Sequence, residues 1–382
     1  MSKEFEPLCF DKNLKFKIMA VGDIHEKYVP DDKTEDFLRL INRALDELKP
    51  DLAVLMGDIV SGHFKNSQGE EQDLSVEQLR EEVQRIIKPF AERNVPLALT
   101  FGNHDGEGGK PKEPLLALFQ EYPNFRNIDT PDITGCGTCN LLVKDSTCDK
   151  DVFNIWLIDS GDRAPAGRGK YAYVETDQIK WCERVSNRLK AQNGGKSVPS
   201  LVFQHIPVTE EYQLLKKTSR FHPYAVRGNS WHDKDCYVLD KKKATGYLGE
   251  GPCTPDYNNG QFASWKKQGD VIGAFFGHDH MNDFVGKVDG ITLGQCKCSG
   301  FHIYGDGLRQ GVRMITLDEN DLWRFETKMH RYRDFFGTKC NSIKGYMLLS
   351  DRFHTIFERA LKIIIPAVAI ATIGTLIFYW LK

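Results

Sequence analysis

The chain has 382 residues, of which 41% are hydrophobic and 27% charged, a composition that excludes a wholly disordered protein. Its 51 Lys and Arg residues nearly balance its 53 Asp and Glu residues, and the net charge is −2. The chain therefore lacks an overall positive field of the kind that attracts nucleic acid, and we expect no nucleic-acid partner. The length suffices for one large core or two smaller ones, and it leaves the oligomeric state open.

Short apolar segments alternate with amphipathic segments along the first two thirds of the chain. The pattern predicts buried strands at residues 15–21, 52–56, 95–101, 200–203 and 271–276. It predicts helices at residues 34–48, 75–93, 113–122 and 176–191, with Ser75 as an N-cap, and further strands at residues 141–144 and 153–159. The short strands expected after residue 284 suggest a second sheet, so two layered sheets with helices outside are expected.

Two segments interrupt this alternation. Residues 61–73 are polar and contain glycine, which predicts a loop. Residues 208–260 lack a clear period, and loops of such length inside a compact domain are usually functional or disordered. Because this second segment leaves directly from His205, we expect it to form a wall of the functional site.

A polar group follows each of the five buried strands, at the point where the apolar segment ends. The groups are Asp23 with His25, Asp58, Asn103 with His104 and Asp105, His205, and His278 with His280. In open α/β sheets, ligands bind just beyond the carboxyl ends of the strands. We therefore expect the five groups to converge on one site.

These side chains supply carboxylate, amide and imidazole ligands, the mixture that suits Zn²⁺, Mn²⁺ or Fe ions. A carboxylate such as Asp58 has two oxygens and can bridge two ions. Two metal ions about 3.5–4 Å apart lower the pKa of a bridging water and hold a phosphoryl group for in-line displacement. The sequence thus predicts two divalent metal ions (Mn, Zn or Fe) as cofactors.

The ordered set of motifs resembles the signature of calcineurin-like metallophosphoesterases. The motifs are Gly-Asp-Ile-His at 22–25, Gly-Asp at 57–58, Gly-Asn-His-Asp at 102–105, His205, and Gly-His-Asp-His at 277–280. Residues 277–284 and 300–305 are similar to the single-domain fungal and plant branch named purple acid phosphatase-like. Ser61 stands where true purple enzymes carry a tyrosinate ligand, so the resemblance does not extend to a purple Fe(III) site.

The resemblance implies an α/β fold, a two-sheet β-sandwich flanked by helices, and a role for each motif residue. It implies that Asp23, His25 and His280 bind the first metal, that Asp58 bridges, and that Asn103, His205 and His278 bind the second. His104 would protonate the leaving oxygen or stabilise the transition state, and Asp105 would orient it. His302 and Tyr304 either reach this site or pack within the sheet.

The implied function is hydrolysis of phosphomonoesters, on a phosphoprotein or a small phosphate ester, by attack of a metal-bridging hydroxide. The alternative is a phosphodiesterase acting on a lipid headgroup or a nucleotide. A third interpretation, a non-catalytic scaffold, usually goes with lost ligands, whereas all seven ligand-type residues are present.

Residues 363–381 form an uncharged apolar run of about the length that crosses a bilayer core. Arg352, Arg359 and Lys362 precede this run, and aromatic residues close it, as is typical of a spanning helix. We predict a catalytic domain at residues 1–330, a basic juxtamembrane linker at 331–360 and a C-terminal transmembrane anchor at 361–382. Without a secretory signal, this pattern predicts a tail-anchored protein with a cytosolic body. The lack of extra basic residues beyond the span favours the endoplasmic reticulum over the mitochondrial outer membrane.

The ten cysteines include a C-x-x-C pair, Cys136 and Cys139, and a C-x-C pair, Cys296 and Cys298. The two pairs together could form a zinc site, although their spacing matches no known motif. In a reducing compartment plain thiols are the expected state, and we favour that interpretation.

Overall fold

The computed structural model describes residues 5–65, 70–106, 111–342 and 351–381. The strands are β1 (Leu8–Cys9), β2 (Lys15–Val21), β3 (Leu52–Met56), β4 (His63–Lys65), β5 (Glu71–Asp73), β6 (Leu97–Thr100), β7 (Cys139–Lys144), β8 (Asp151–Ile158), β9 (Ser200–Gln204), β10 (Leu215–Thr218), β11 (Val226–Arg227), β12 (Cys236–Leu239), β13 (Ala244–Thr245), β14 (Val271–Phe276), β15 (Val285–Val288), β16 (Ile291–Gln295), β17 (Gly311–Asp318) and β18 (Phe325–Arg331). The helices are α1 (Asp32–Leu48), α2 (Val76–Glu92), α3 (Glu113–Gln120), α4 (Thr176–Gln192), α5 (Gln261–Gln268), α6 (Tyr332–Phe336) and α7 (Asp351–Trp380).

Two sheets form the body of the molecule. The first has the strand order β18-β17-β2-β3-β6, and the second has the order β1-β7-β8-β9-β14-β16-β15-β13. In the first sheet β2, β3 and β6 are parallel neighbours, and in the second β8, β9, β14 and β16 are parallel neighbours. Parallel neighbours end at the same edge, so each sheet presents a row of strand ends on one side.

The strands of both sheets carry apolar residues on both faces. One face of each sheet packs against the other sheet, and the opposite face packs against helices. Phe16, Ile18 and Ala20 of β2 point into the core between the sheets, where they meet residues of β8, β9 and β14. Met19 and Val21 of the same strand belong to an outer core that is shared with α1 and α2. A second outer core covers the other sheet with α4 and α5. The predicted two-sheet sandwich flanked by helices is confirmed.

Helices α1 and α2 begin at residues that satisfy their free backbone amides. The Asp31 carboxylate accepts hydrogen bonds from the backbone N–H groups of Lys33 and Thr34, and the Ser75 hydroxyl accepts one from Gln78 N–H. Such caps typically contribute about 1 kcal/mol to helix stability. The predicted N-cap at Ser75 is confirmed, while α1 begins two residues earlier than predicted.

The structure corrects three features of the predicted topology. Residues 61–73 were expected to be a loop, but β4 and β5 pair there as a short hairpin of mostly polar residues, which gives no apolar period to detect. Residues 208–260 contain a small sheet of order β10-β12-β11 rather than an irregular loop. The strands after residue 284 do not form a sheet of their own: β15 and β16 extend the larger sheet, whereas β17 and β18 join β2.

Cys9 and Cys148 form a disulfide, so the prediction of plain thiols throughout is wrong for this pair. The pairing of β1 with β7 brings Cys9 close to the turn that follows β7, and a sequence separation of 139 residues hides this proximity. Cys136, Cys139, Cys296 and Cys298 are buried and unpaired, as expected of thiols.

Helix α7 contains one segment long and apolar enough to cross a membrane, Ala360–Trp380. Residues 360–362 are half-buried against the body, whereas residues 363–381 are exposed. Between β18 and residue 342 the chain stays on the body, because Asp36 of α1 accepts hydrogen bonds from Tyr332, Asn341 and Ser342. The boundary predicted for the juxtamembrane linker falls partly outside the described residues and stays a prediction.

Candidate metal centre

The polar groups that follow β2, β3, β6, β9 and β14 meet where the two sheets present their strand ends. Three hydrogen bonds donated by backbone N–H groups connect these loops. His278 N–H donates to Asp23 Oδ1 at 3.0 Å, His104 N–H donates to Asp58 Oδ1 at 2.8 Å, and His25 N–H donates to the Asp58 carbonyl at 2.9 Å. The convergence expected from the strand ends is therefore present, and it includes both sheets.

One group of potential metal ligands consists of Asp23, His25, Asp58 and His280, whose ligand atoms all lie within 4.8 Å of one another. His280 Nε2 is 3.6 Å from Asp23 Oδ1, and His25 Nε2 is 3.5 Å from Asp58 Oδ2. All four residues are buried. These are the residues predicted for the first metal, together with the predicted bridge.

The other group consists of Asp58, His205 and His278. His205 Nε2 lies 3.2 Å from Asp58 Oδ2 and 3.2 Å from His278 Nδ1. Asn103 is the remaining residue predicted for the second metal. It is buried in the loop after β6 and directly precedes His104, whose N–H donates to Asp58. Asp58 belongs to both groups, as a bridging ligand must.

Two hydrogen bonds to carbonyl oxygens fix which imidazole nitrogen faces the centre. His205 Nδ1 lies 2.7 Å from the Met56 carbonyl, and His280 Nδ1 lies 2.9 Å from the Tyr304 carbonyl. A carbonyl oxygen can only accept, so Nδ1 carries a proton in each ring, and Nε2 is the nitrogen that faces the carboxylates and can bind a metal ion once it is deprotonated. This orientation by a second partner is typical of metal-binding histidines.

Several buried polar atoms of the site have no hydrogen-bond partner among the described residues. They are Asp23 Oδ2, His25 Nε2, Asp58 Oδ2, Asn103 Oδ1 and His278 Nε2. Leaving one buried polar atom unsatisfied costs about 1–3 kcal/mol, and five in one place would be a large penalty for a structural cluster. All five are lone-pair donors, so divalent metal ions would satisfy them together. The residues therefore fit the two-metal site that the sequence predicts.

The buried setting also favours the protonation states that metal binding needs. Burial lowers the pKa of His25 and of His278 well below the usual value, and it lowers the pKa of His280 to about 4. These three rings are therefore neutral at physiological pH. Burial acts in the same direction on His205, but the charges of Asp58 and Asp23 outweigh it and raise the pKa of His205 to about 10. A metal ion at this position would displace that proton.

The backbone of the site is strained at four of the potential ligands. Asp23, His25, Asp58 and His278 have φ angles of 44°, 46°, 49° and 71°, in the left-handed region that non-glycine residues rarely adopt. Each such residue costs on the order of 1–3 kcal/mol and persists only where the surroundings hold it. With these backbone conformations, the side chains of all four residues reach the candidate metal centre.

His104 and Asp105 follow β6 at the edge of this centre. His104 Nε2 lies 4.0 Å from Asp58 Oδ2, and 39% of the His104 side chain is exposed. His104 therefore lies at the solvent-accessible edge of the cluster. The Asp105 carboxylate is buried and accepts hydrogen bonds from the backbone N–H groups of Gly102 and Ile59, at 2.8 Å each. Asp105 therefore fastens the loop after β6 to the loop after β3 and so positions His104 through the chain.

From the sequence, Tyr171 was not predicted as a neighbour of the cluster, Cys298 had no predicted role at this centre, and the roles of His302 and Tyr304 stayed open. The Tyr171 ring packs edge-on against the His278 ring at 4.4 Å, in a segment without any period. Tyr304, whose role was open, stacks on His280 at 4.2 Å, and its hydroxyl donates to Glu250. The Cys298 thiol donates to the Asp23 carbonyl at 3.1 Å. His302, the other open residue, lies 3.7 Å from Glu26, next to His25 in the chain.

Several known proteins are similar to this chain. Probable inactive purple acid phosphatase 14 of Arabidopsis thaliana is 26% identical across 93% of this chain and 85% of its own length. Phosphatase DCR2 of Saccharomyces cerevisiae is 25% identical across 85% of this chain and 54% of its own length. Among solved structures, a dimetal phosphatase from Danio rerio matches 83% of this chain and 99% of its own, at 14% identity and a TM-score of 0.46.

Residues 16–282 match the family model described as calcineurin-like phosphoesterase. This match spans the strand-end motifs from Asp23 to His280, including both groups of potential metal ligands. The chain therefore belongs to the calcineurin-like phosphoesterase family, as a metallophosphatase with a candidate two-metal site.

Proposed function

We propose that the protein hydrolyses phosphomonoesters, either on phosphoproteins or on small phosphate esters, with two divalent metal ions at the strand-end cluster. The observation that carries the proposal is the set of five unsatisfied lone-pair atoms on buried ligand residues. When bound, two such ions would activate a water molecule and neutralise charge on the phosphoryl oxygens. In our assignment Asp23, His25 and His280 hold the first ion, and Asn103, His205 and His278 hold the second (with Asp58 shared).

Two cationic side chains near the centre support an anionic phosphate ester as substrate, and the adjoining cleft also carries the carboxylates of Asp159, Asp162 and Glu175. The Lys170 ammonium lies 4.6 Å and the Arg163 guanidinium 5.7 Å from the centre of the Tyr171 ring, which itself packs on His278. A cleft of about 440 Å³ beside Asn103 includes Arg163 in its lining. Ligand sites for small molecules typically have volumes in this range.

Some relatives are named as probably inactive, and that name applies to those proteins. In this chain every predicted ligand is present and buried at the centre, which supports an active enzyme.

The test is turnover of the purified full chain, in detergent, on matched panels of monoesters and diesters with Mn²⁺, Zn²⁺ or Fe²⁺. We expect hydrolysis of monoesters that depends on added metal. Faster hydrolysis of lipid-headgroup or nucleotide diesters would favour the alternative, a phosphodiesterase. No metal-dependent turnover on either panel, in a protein that binds two metal ions, would contradict catalysis.

For location, we propose that α7 holds the body at a membrane with the metal centre in the cytosol, and the endoplasmic reticulum stays the predicted membrane. Arg352, Arg359 and Lys362 precede the span, and basic residues of this kind favour the cytosolic side. A second orientation is favoured by one observation: the Cys9–Cys148 disulfide suits an oxidising lumen.

A further inference from the structure

Residues 215–239, which include β10, β11 and β12, form a small projection that we call the basic lobe. Its charged residues are Lys216, Lys217, Arg220, Arg227, Asp233, Lys234 and Asp235. The lobe is thus positively charged in a chain whose overall net charge is −2. One of its two carboxylates is already neutralised, since Lys217 Nζ lies 2.6 Å from Asp235.

The lobe also exposes large aromatic side chains. Phe221, Tyr224 and Trp231 are 69%, 63% and 66% exposed. The Arg220 guanidinium lies 4.9 Å from the centre of the Phe221 ring, so a cation and an aromatic ring share one surface. Exposed aromatic residues among basic ones are the composition that proteins place at the interface between lipid and water.

The lobe lies beside the start of the apolar run of α7. A groove of about 1080 Å³ is lined by residues of both the lobe and α7. The lobe contributes Arg220, Phe221, Arg227 and Lys234 together with the carboxylates of Asp233 and Asp235, and α7 contributes Leu361, Lys362, Ile365 and Pro366. The apolar run of α7 begins at residue 363. At a rise of about 1.5 Å per residue, Pro366 lies only about 4–5 Å beyond that point. If α7 spans a bilayer, the lobe therefore lies at the depth of the lipid headgroups.

Resting on the membrane attachment proposed above, we propose that the basic lobe is a second membrane contact and that its groove binds anionic lipid headgroups. The Arg and Lys side chains lie at the headgroup phosphates, and the aromatic rings enter the interface beside them. The groove continues to Glu250 and Met281, and Glu250 accepts a hydrogen bond from Tyr304, whose ring stacks on His280. The contact would hold the body in one orientation, with this side of the metal centre next to the bilayer.

The experiment uses the full chain in vesicles that contain brominated phosphatidylcholine, which quenches tryptophan fluorescence only on contact. Phe221→Trp is made in a background with Trp231→Phe and Trp380→Phe, so that neither the native tryptophan of the lobe nor the tryptophan at the end of the span contributes. We expect the indole introduced at position 221 to be quenched. Trp323, which is 48% exposed on the turn between β17 and β18, is the matched control. Its contribution, measured as the loss on Trp323→Phe, should not be quenched.

The lipid charge is tested with the same probe. Adding phosphatidylserine should increase the quenching at position 221, and Arg220→Glu with Lys234→Glu should abolish that increase. Arg324→Glu with Lys328→Glu makes the same change of charge on the far hairpin, and it should leave the increase intact. If quenching at position 221 changed neither with lipid charge nor with Arg220→Glu and Lys234→Glu, the assignment to anionic headgroups would be overturned.

Failure of the inference is distinguishable from failure of the anchor. In a chain with Trp231→Phe that retains Trp380, quenching of Trp380 and resistance to carbonate extraction report whether α7 is in the bilayer. An anchored chain whose position 221 stays unquenched would overturn the lobe contact alone, and would leave the lobe as a surface for another macromolecule. A chain that is extracted by carbonate, with Trp380 unquenched, would contradict the proposed membrane attachment itself.

Discussion

Asp58 is the side chain on which the candidate site depends most. Its Oδ2 atom lies 3.5 Å from His25 Nε2 and 3.2 Å from His205 Nε2, one residue from each ligand group. Its Oδ1 atom accepts the backbone N–H of His104. Burial raises the pKa of Asp58, but the surrounding imidazoles, His205 above all, outweigh this and hold it well below its usual value. The carboxylate is therefore ionised and available to be shared.

We expect Asp58→Asn to abolish turnover and to reduce bound metal. The amide keeps the hydrogen bond to His104 N–H but loses the negative charge that two cations would share. Loss of an outer partner of a metal ligand typically costs ~10–100-fold in metal affinity, and loss of a shared ligand should cost more. Metal content by mass spectrometry and turnover are the measurements, with the exposed Asp321→Asn as the control. Full activity of Asp58→Asn after chelation would rule out the two-metal site.

His104→Ala tests proton transfer to the leaving group. His104 is the partly exposed imidazole at the rim of the centre, 4.0 Å from Asp58 Oδ2. General acid catalysis typically contributes ~10²–10⁴-fold, and it matters most when the leaving alkoxide is a strong base. We expect a large loss of rate on alkyl phosphates and a small loss on nitrophenyl phosphate. Equal losses on both substrates would mean that His104 acts only in binding or structure.

The ligand residues could be predicted because each follows an apolar strand, and an apolar strand can be located from the hydrophobicity of its sequence. Tyr171 and Glu250 could not be predicted in this way. They lie in segments without a period, and they reach His278 and Tyr304 only through the folded chain. Asp105 was predicted from a motif to orient His104. The structure adds that its carboxylate accepts backbone N–H groups from two loops, which no motif specifies.

Glycines after β6 and β14 allow the loops that follow these strands to approach the end of β3 closely. A Cβ atom on Gly102 would lie 2.2 Å from Asp58 Oδ1 and 2.4 Å from Asp58 N. A Cβ atom on Gly277 would lie 2.8 Å from the Met56 carbonyl. No side chain fits at such distances, so the spacing between neighbouring strand ends itself requires glycine.

Gly102→Ala should therefore impair the site by moving Asp58. Overpacking of this kind typically costs about 1–3 kcal/mol, and here the displaced atoms belong to the shared carboxylate and its backbone. We expect lower metal content and turnover in a protein that still folds. Gly167→Ala is the control, since an added Cβ there meets nothing within 4 Å and only the backbone is strained. Normal metal content in Gly102→Ala would show that the two loops can separate without harm.

Helix α2 carries a buried carboxyl group whose ionisation should weaken the fold. Burial, with help from the charge of Glu26, raises the pKa of Glu82 to about 8 from its ordinary value of 4.5. The folded state then retains a proton that the unfolded state releases, so stability should fall as pH rises between these two values and level off above. Glu82→Gln should remove this fall and be more stable than the parent at high pH, with little difference at low pH. Denaturant unfolding across this range measures the effect, and the exposed Glu81→Gln should behave as the parent.

The sandwich was predictable from its strands, but the division of strands between sheets was not. Strands β2, β3, β6, β9 and β14 are continuous apolar runs, and their order with the intervening helices indicates parallel sheets. β17 pairs with β2 although nearly three hundred residues separate them, and no local pattern encodes such a pairing. The hairpin of β4 with β5 was missed for a different reason, because its sequence is mostly polar and shows no apolar period.

For the whole molecule, two features bear on the side of the membrane that holds the body, and they point in opposite directions. The basic residues before α7 favour the cytosol. The Cys9–Cys148 pair favours an oxidising lumen, because the cytosol keeps thiols reduced. The redox state of this pair therefore reports the compartment independently of any protease.

We expect a cytosolic body, and two measurements on intact microsomes test it. Added protease should digest the body and spare a small fragment that contains residues 360–380. Alkylation in the presence of detergent, without reductant, should label Cys9 and Cys148, since a reducing cytosol would open the disulfide that the structure shows. Cys9→Ser is the control that frees Cys148 for labelling on either side. A body that resists protease until detergent is added, together with labelling of Cys148 only in Cys9→Ser, would place the metal centre in the lumen and reverse the orientation.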